Sequence, residues 1–306
     1  MTVIALVSCS GAPGVTTVAL ATAAALTNTD APEPVMVEVA TSGGVLGDQY
    51  DMATEPGLAT LTLALSEEET PLLAHAQALP GGVSAVVAPP SGSRVSKLLA
   101  AKVGPLARQL KRAPETVIVD GGRISTASPV LPILSQASLV GVVLRPSRQD
   151  FHLAALTVAE INEQLETPLP AGWVLVGANP WSTDEVLAQY GMPILATIAE
   201  DPLGAEAAAG LRRFRRRAPL VRSANAFAQD LAKHLRVSDA EAPLRYLEPG
   251  PEPDVESEPV PVTEPEVLTT PSSGVGREVE GQVSGRGLGA LPGIGGRSGR
   301  TDRASA

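Results

Sequence analysis

Cysteine occurs once in the 306-residue chain, as Cys9, so no internal disulfide can form and a reducing, cytoplasmic setting is expected. Aromatic side chains make up 3% of the sequence, which leaves the interior to be filled by Ala, Val and Leu. Positive charge is outnumbered, with 23 Lys and Arg against 33 Asp and Glu and a formal net charge of −10. That balance argues against a generic nucleic-acid binder, while local basic patches stay open. Gly, Pro or charge interrupts every apolar run before it reaches about 18 residues, so no membrane-spanning helix is expected. The chain starts on a strand-like run with no basic segment before it, and no secretory signal is expected. The histidines His75, His152 and His234 are scattered and lack metal-ligand spacing. No Ser/His/Asp or Cys/His set suggests a separate hydrolase.

What is present is an apolar fraction of 44%, which supports a sizeable core, in a chain long enough for one large α/β domain or two small ones. Apolar β-branched runs at residues 3–7, 35–39, 83–87, 116–119, 139–144, 173–176 and 194–198 read as strands. Helical spacing is found at 18–26, 57–65, 95–110, 151–165, 183–190 and 224–235. Near-continuous apolar strands alternating with helices predict a doubly wound α/β fold with a mostly parallel sheet covered on both faces. No internal repeat is visible. After about residue 247 the composition becomes Pro/Glu/Val-rich and acidic, then Gly/Ser/Arg-rich. The expected organisation is a folded domain over residues 1–240 and a disordered tail over 241–306, because such a tail buries too little apolar surface to offset its ordering entropy.

The segment Ser8-Cys9-Ser10-Gly11-Ala12-Pro13-Gly14-Val15-Thr16-Thr17 carries the sharpest chemistry. It lies between the first strand and an Ala/Leu-rich helix. A tight glycine loop there points backbone N–H groups and the positive end of the helix dipole at one spot, which favours an anion. Gly11 and Gly14 approximate the glycines of the G-x-x-x-x-G-K-[ST] pattern, and Thr16 stands where a hydroxyl holds Mg²⁺. Val15 takes the lysine's place. A plain strand-to-helix turn is the alternative for the loop, and helix-start chemistry for Thr16 and Thr17. Cys9 reads as a small packed residue, although a helix N-terminus nearby favours the thiolate.

In the order of these segments the chain resembles the MinD/ParA branch of P-loop ATPases over roughly residues 2–236. That family's loop reads K-G-G-x-G-K-[ST]-[ST], set against Ser10 to Thr17 here. Its D-x-D-P corresponds to Glu38-Val39-Ala40-Thr41, followed by Ser42-Gly43-Gly44. Its Walker-B-like strand ends in an aspartate, as at Asp120, and its adenine-side asparagine matches Asn179. Its P-x-x-G-x-I-P-E-D segment resembles Pro193-Ile194-Leu195-Ala196-Thr197-Ile198-Ala199-Glu200-Asp201. Stretches at 55–61 and 75–82 are similar to actinobacterial MinD-like proteins. The resemblance implies ATP or ADP with Mg²⁺ held by Ser10, Gly11, Ala12, Pro13, Gly14, Val15, Thr16, Thr17 and Asn179. Thr16 and Asp120 are then the metal's residues, and Asp120 is the candidate for catalysis. Asp120 as a cap on Gly121-Gly122 and Asn179-Pro180 as a turn pair are the plainer alternatives.

Three charged groups of the family are missing together. Ser10 replaces the lysine that reaches across a nucleotide-sandwich dimer, Val15 the loop lysine, and Ala40 the second carboxylate of D-x-D. One charge-assisted contact is worth roughly 1.5–3 kcal/mol, so binding survives such a loss at weakened strength. Phosphoryl transfer depends on positioning and charge, so turnover suffers more. The expected function is a nucleotide-binding positioning switch with weak or absent hydrolysis; the alternative is a pseudo-ATPase scaffold that recruits partners through its tail. Arg145 and Arg148, after a strand, are candidate substitutes for the missing cation. The basic run Arg212, Arg213, Arg215, Arg216 and Arg217 reads first as a solvated face, and otherwise as a contact for DNA phosphates or acidic lipid. A protein partner, a nucleotide-dependent homodimer, and a cytoplasmic location with peripheral contact to membrane or nucleoid complete the expectation. The helix at 224–235 is expected to dock on the fold through Phe227, Leu231 and Leu235.

Overall fold

Consecutive Val, Ile, Leu and Ala leave a strand with no wet face, so such strands must be covered on both sides. The computed structural model, which describes residues 2–11, 13–65, 71–79, 82–208 and 217–238, shows that outcome. The strands are β1 (Thr2–Ser8), β2 (Pro34–Glu38), β3 (Gln77–Ala78), β4 (Ser84–Val86), β5 (Thr116–Arg123), β6 (Leu139–Leu144), β7 (Ala171–Val176) and β8 (Ile194–Ile198). They form one sheet in the order β3-β4-β2-β5-β1-β6-β7-β8. Neighbours run parallel except the edge pair β3–β4, which is antiparallel.

The helices are α1 (Val15–Leu26), α2 (Leu46–Gln49), α3 (Leu58–Ala64), α4 (Gly92–Arg112), α5 (Leu131–Leu134), α6 (Arg148–Glu163), α7 (Thr183–Tyr190), α8 (Pro202–Ala208) and α9 (Pro219–Ser238). Strand alternation divides the interior between two faces. Val3, Ala5 and Val7 of β1 join the apolar layer beneath α3, α4, α6 and α7, while Ile4 and Leu6 join the layer beneath α1 and α9. Buried Ala19, Ala21 and Ala23 of α1 and Ala224 and Ala228 of α9 let these two helices pack together. Four of the eight aromatic residues meet in one place. Phe151 stacks on Tyr190 at 4.9 Å and meets the edges of Trp173 and Trp181 at 5.4 and 5.9 Å, each pair adding about 0.5–1.5 kcal/mol beyond area burial.

The doubly wound expectation holds, with local differences. α1 starts at Val15 and α6 at Arg148, three residues earlier than hydrophobic spacing places them, because the polar pair Thr16-Thr17 and the polar run Arg148-Gln149-Asp150 interrupt the apolar period. β5 runs on through Gly121 and Gly122 to Arg123, past the apolar run at 116–119. The two-residue β3 and the short α2, α5 and α8 are too brief to show a period. Leu220, Ala224, Phe227, Ala228 and Leu231 of α9 are buried, so this helix docks on the fold as expected. Among the described residues no helix is long and apolar enough to cross a membrane. Ala12, the side chain of Leu235, the run from Arg212 to Arg216, and the tail from 241 onward lie outside the described residues.

Candidate site at the carboxyl ends of β1 and β5

The strand order places the loop after β1 between the ends of β5 and β6, where open α/β sheets bind ligands. Gly11 and Gly14 adopt φ of +55° and +92°, left-handed values at which a side chain is strained. Gly14 is the N-cap of α1 and no side chain caps that end. The first-turn N–H groups therefore face the loop without a side-chain acceptor, the arrangement that suits an anion.

Below the loop, the Thr16 hydroxyl donates to Oδ2 of Asp120 at 2.6 Å, and the Gly122 N–H donates to Oδ1 at 3.0 Å. Asp120 is 1% exposed. Burial pushes its carboxyl above the usual carboxylate range, and the bonds from Thr16 and Gly122 offset part of that rise. Directly across the ladder from Asp120 stands Glu38 of β2, also 1% exposed. Its Oε1 accepts the N–H groups of Val45 (2.9 Å) and Leu46 (3.1 Å), and its Oε2 accepts that of Ala88 (3.0 Å). Burial raises this carboxyl as well, the three N–H donors oppose the rise, and the Asp120 charge adds to it. Glu38 thus clamps the segment after β2 to the end of β4.

The three substituted positions each have a visible local role. Val15 is 7% exposed and packs into the apolar layer under α1. Ala40 sits so close to Gly122 that a Cβ built there would stand 2.6 Å from the Ala40 Cβ. The Ser10 hydroxyl donates to Oδ1 of Asp150 at 2.7 Å. The other Asp150 oxygen accepts the Ser147 hydroxyl at 2.8 Å, and the Asp150 N–H donates back to Ser147 Oγ at 3.0 Å, closing the N-terminal cap of α6.

Pro13 is buried and Thr17 half-buried. The Arg123 guanidinium, through Nη2, donates to the Gly11 carbonyl. Asn179 lies on the loop after β7, and its amide is engaged within its own turn: Nδ2 donates to the Trp181 carbonyl at 2.6 Å, and Oδ1 accepts the Trp181 N–H at 3.3 Å. Arg145 forms an exposed ion pair with Glu200 at 3.4 Å, and Arg148 is exposed on the first turn of α6. Burial pushes the Cys9 thiol up to about 12, which makes it a packed side chain rather than a thiolate. Among the described residues no group of three or more His, Cys, Asp or Glu side chains forms a metal cluster. Of the basic run, Arg217 is described, and it is exposed.

Three residues of this site are absent from the sequence-based set: Glu38 as a clamp, Arg123 and Asp150. The pattern Ser147-x-x-Asp150 carries a readable capping signal. Nothing local to Arg123 or Glu38 announces a partner more than 100 positions away in the one case and 50 in the other.

No protein-family model matches the chain, and no curated protein matches it by sequence. Solved structures do match it. A ParA family ATPase from Chlorobium tepidum has a TM-score of 0.64 at 20% identity, covering 75% of this chain and 98% of its own. The septum site-determining protein MinD from Pyrococcus horikoshii, complexed with Mg-ADP, has a TM-score of 0.61 at 14% identity over 77% and 98%. A cobyrinic acid a,c-diamide synthase from Mycobacterium smegmatis, with bound ADP and magnesium, reaches 0.58 at 18% identity over 78% and 97%. The chain has a MinD/ParA-like P-loop fold. One such fold hosts unlike activities, so function rests on the site.

Proposed function

We propose that this protein binds a Mg²⁺–nucleotide at the loop of residues 10–17 with little or no hydrolysis, and acts as a positioning switch. The observation that carries this reading is the Thr16–Asp120 pair beneath an uncapped helix N-terminus. Hydroxyl and carboxylate oxygens are the hard donors that Mg²⁺ takes, so the residues present fit the ion. Thr16 would hold it, Asp120 would orient its water, and the ion would supply charge against the phosphates. Backbone N–H groups of Gly11 to Thr17 would cradle the phosphates, with Asn179 on the adenine side. ATP or ADP is the nucleotide, and its γ-phosphate would set the affinity for a protein partner or a second copy of the chain. Partitioning, division and a secretion or transfer apparatus are the settings that such a switch serves, at the periphery of nucleoid or membrane. The residues Arg212, Arg213, Arg215, Arg216 and Arg217 are the proposed contact there.

Weak turnover follows from the side chains at the three substituted positions. Val15 points into the core, Ser10 carries no charge, and Ala40 offers no carboxylate to position a water. The buried Val15 also favours a second reading, a pseudo-ATPase scaffold that binds no nucleotide and recruits partners through residues 241–306.

Calorimetric titration with Mg²⁺–ATP separates the two. Micromolar-to-millimolar binding that Thr16→Ala and Asp120→Ala both weaken is the expected result. A folded protein that gives no heat leaves the scaffold reading.

A further inference from the structure

We propose that Arg123 supplies the phosphate-binding cation that Val15 does not, reaching the loop from β5 rather than from α1. This rests on the nucleotide reading of the loop. The side chain comes from the strand that carries Asp120, three residues further on.

A bulge in the sheet aims it. Leu6 pairs with Asp120, but Val7 pairs with Gly122 and Ser8 with Arg123, so Gly121 is an extra residue in the ladder. One inserted residue reverses which face the following side chains take. Both glycines are needed for this path. A Cβ at Gly121 would stand 2.7 Å from Val7 Cγ1, and one at Gly122 would stand 2.6 Å from the Ala40 Cβ at φ +60°. The strand therefore continues past its aspartate and delivers Arg123 opposite the last residue of β1, where the phosphate loop begins.

The guanidinium is exposed and one of its donors bonds the Gly11 carbonyl. A guanidinium has five N–H donors in a planar fork, so one contact leaves donors for phosphate oxygens above the loop. The other described cations of this region are placed differently. Arg145 pairs with Glu200, and Arg148 stands on the exposed first turn of α6. Neutral Ser10 and the Asp150 carboxylate bound to it make the loop poorer in positive charge, which increases the weight of a single guanidinium there. Ala40 and Gly122 meet on this path, where the Ala40 Cβ leaves no room for a side chain at 122.

Equilibrium titration of the full chain with Mg²⁺–ATP, Mg²⁺–ADP and adenosine, for the wild type, Arg123→Gln and Arg123→Lys, tests this. Arg123→Gln is expected to weaken ATP about 10- to 100-fold and ADP less, with adenosine unmoved. Arg123→Lys is expected to recover most of the loss, and raised salt to narrow the gap between wild type and Arg123→Gln. An equal loss for all three ligands would show that Arg123 merely orders the loop through Gly11, and would overturn the proposal. Unchanged ATP affinity in a folded Arg123→Gln protein would overturn it while leaving the nucleotide reading intact. Failure of the wild type to bind any of the three would remove both.

Discussion

The Ser10 hydroxyl donates to the carboxylate of Asp150 at 2.7 Å, across 140 residues of sequence. The bond ties the loop after β1 to the cap of α6. It also holds a negative charge beside a loop whose backbone geometry favours anions, so the same contact that orders the loop opposes the binding of phosphate.

Asp150→Asn separates these two effects. The amide keeps an oxygen for the Ser10 hydroxyl and an N–H₂ group that can donate to Ser147, so the loop stays tied. Removing one partly exposed like charge is worth about 0.2–1 kcal/mol, so Mg²⁺–ATP should bind up to about fivefold more tightly. Isothermal titration at low and high salt checks it, and the gain should shrink as salt rises. Weaker binding by the variant would mean that the carboxylate orders the loop more than it repels the ligand.

Glu38 and Asp120 face each other across β2 and β5, and burial raises both carboxyls. A group whose folded pKa lies above its unfolded value holds its proton longer in the folded protein. Its stabilising contribution is full below the unfolded value and is lost as pH rises through the folded one. In the ligand-free protein, stability should therefore fall as pH rises above the usual carboxylate range, opposite to the trend of an ion-paired carboxylate. Asp120→Asn should flatten this slope and melt at or above the wild type at neutral pH. In it the amide can donate to Thr16 Oγ1, and the remaining oxygen can accept from Gly122. Thermal melts at pH 5.5–8 decide it, where a wild-type stability that climbs steadily with pH would contradict the argument.

Much of this arrangement was legible in residue types. Apolar runs placed seven of the strands, and Gly11, Gly14, Thr16 and Asp120 marked one end of the sheet. The loop's charge balance was not legible, because it depends on long-range pairings. Asp150 reaches Ser10 because β6 lies beside β1, and a strand order is not written in local spacing. Arg123 was hidden because the apolar run of β5 ends before Gly121-Gly122. In the sheet these glycines form a bulge whose path leaves no room for a Cβ, against Val7 at the one and Ala40 at the other. Asn179 was correctly placed beyond a strand end, yet its amide bonds the Trp181 backbone in the turn that its pairing with Pro180 suggests.

Val15→Lys asks how complete the remaining site is. Val15 is 7% exposed and packed under α1, so a longer side chain should cost about 1–3 kcal/mol of stability. Chemical denaturation would read this as a lower midpoint with an unchanged slope. If the Thr16–Asp120 pair and the backbone cradle are intact, the ammonium should raise Mg²⁺–ATP affinity about 10- to 100-fold. The size of the gain depends on Arg123. Where the guanidinium already serves the phosphates, the lysine adds less, and in an Arg123→Gln background it should add more. A double-mutant cycle measures that coupling directly. Equal gains in both backgrounds would place Arg123 and position 15 on separate parts of the ligand.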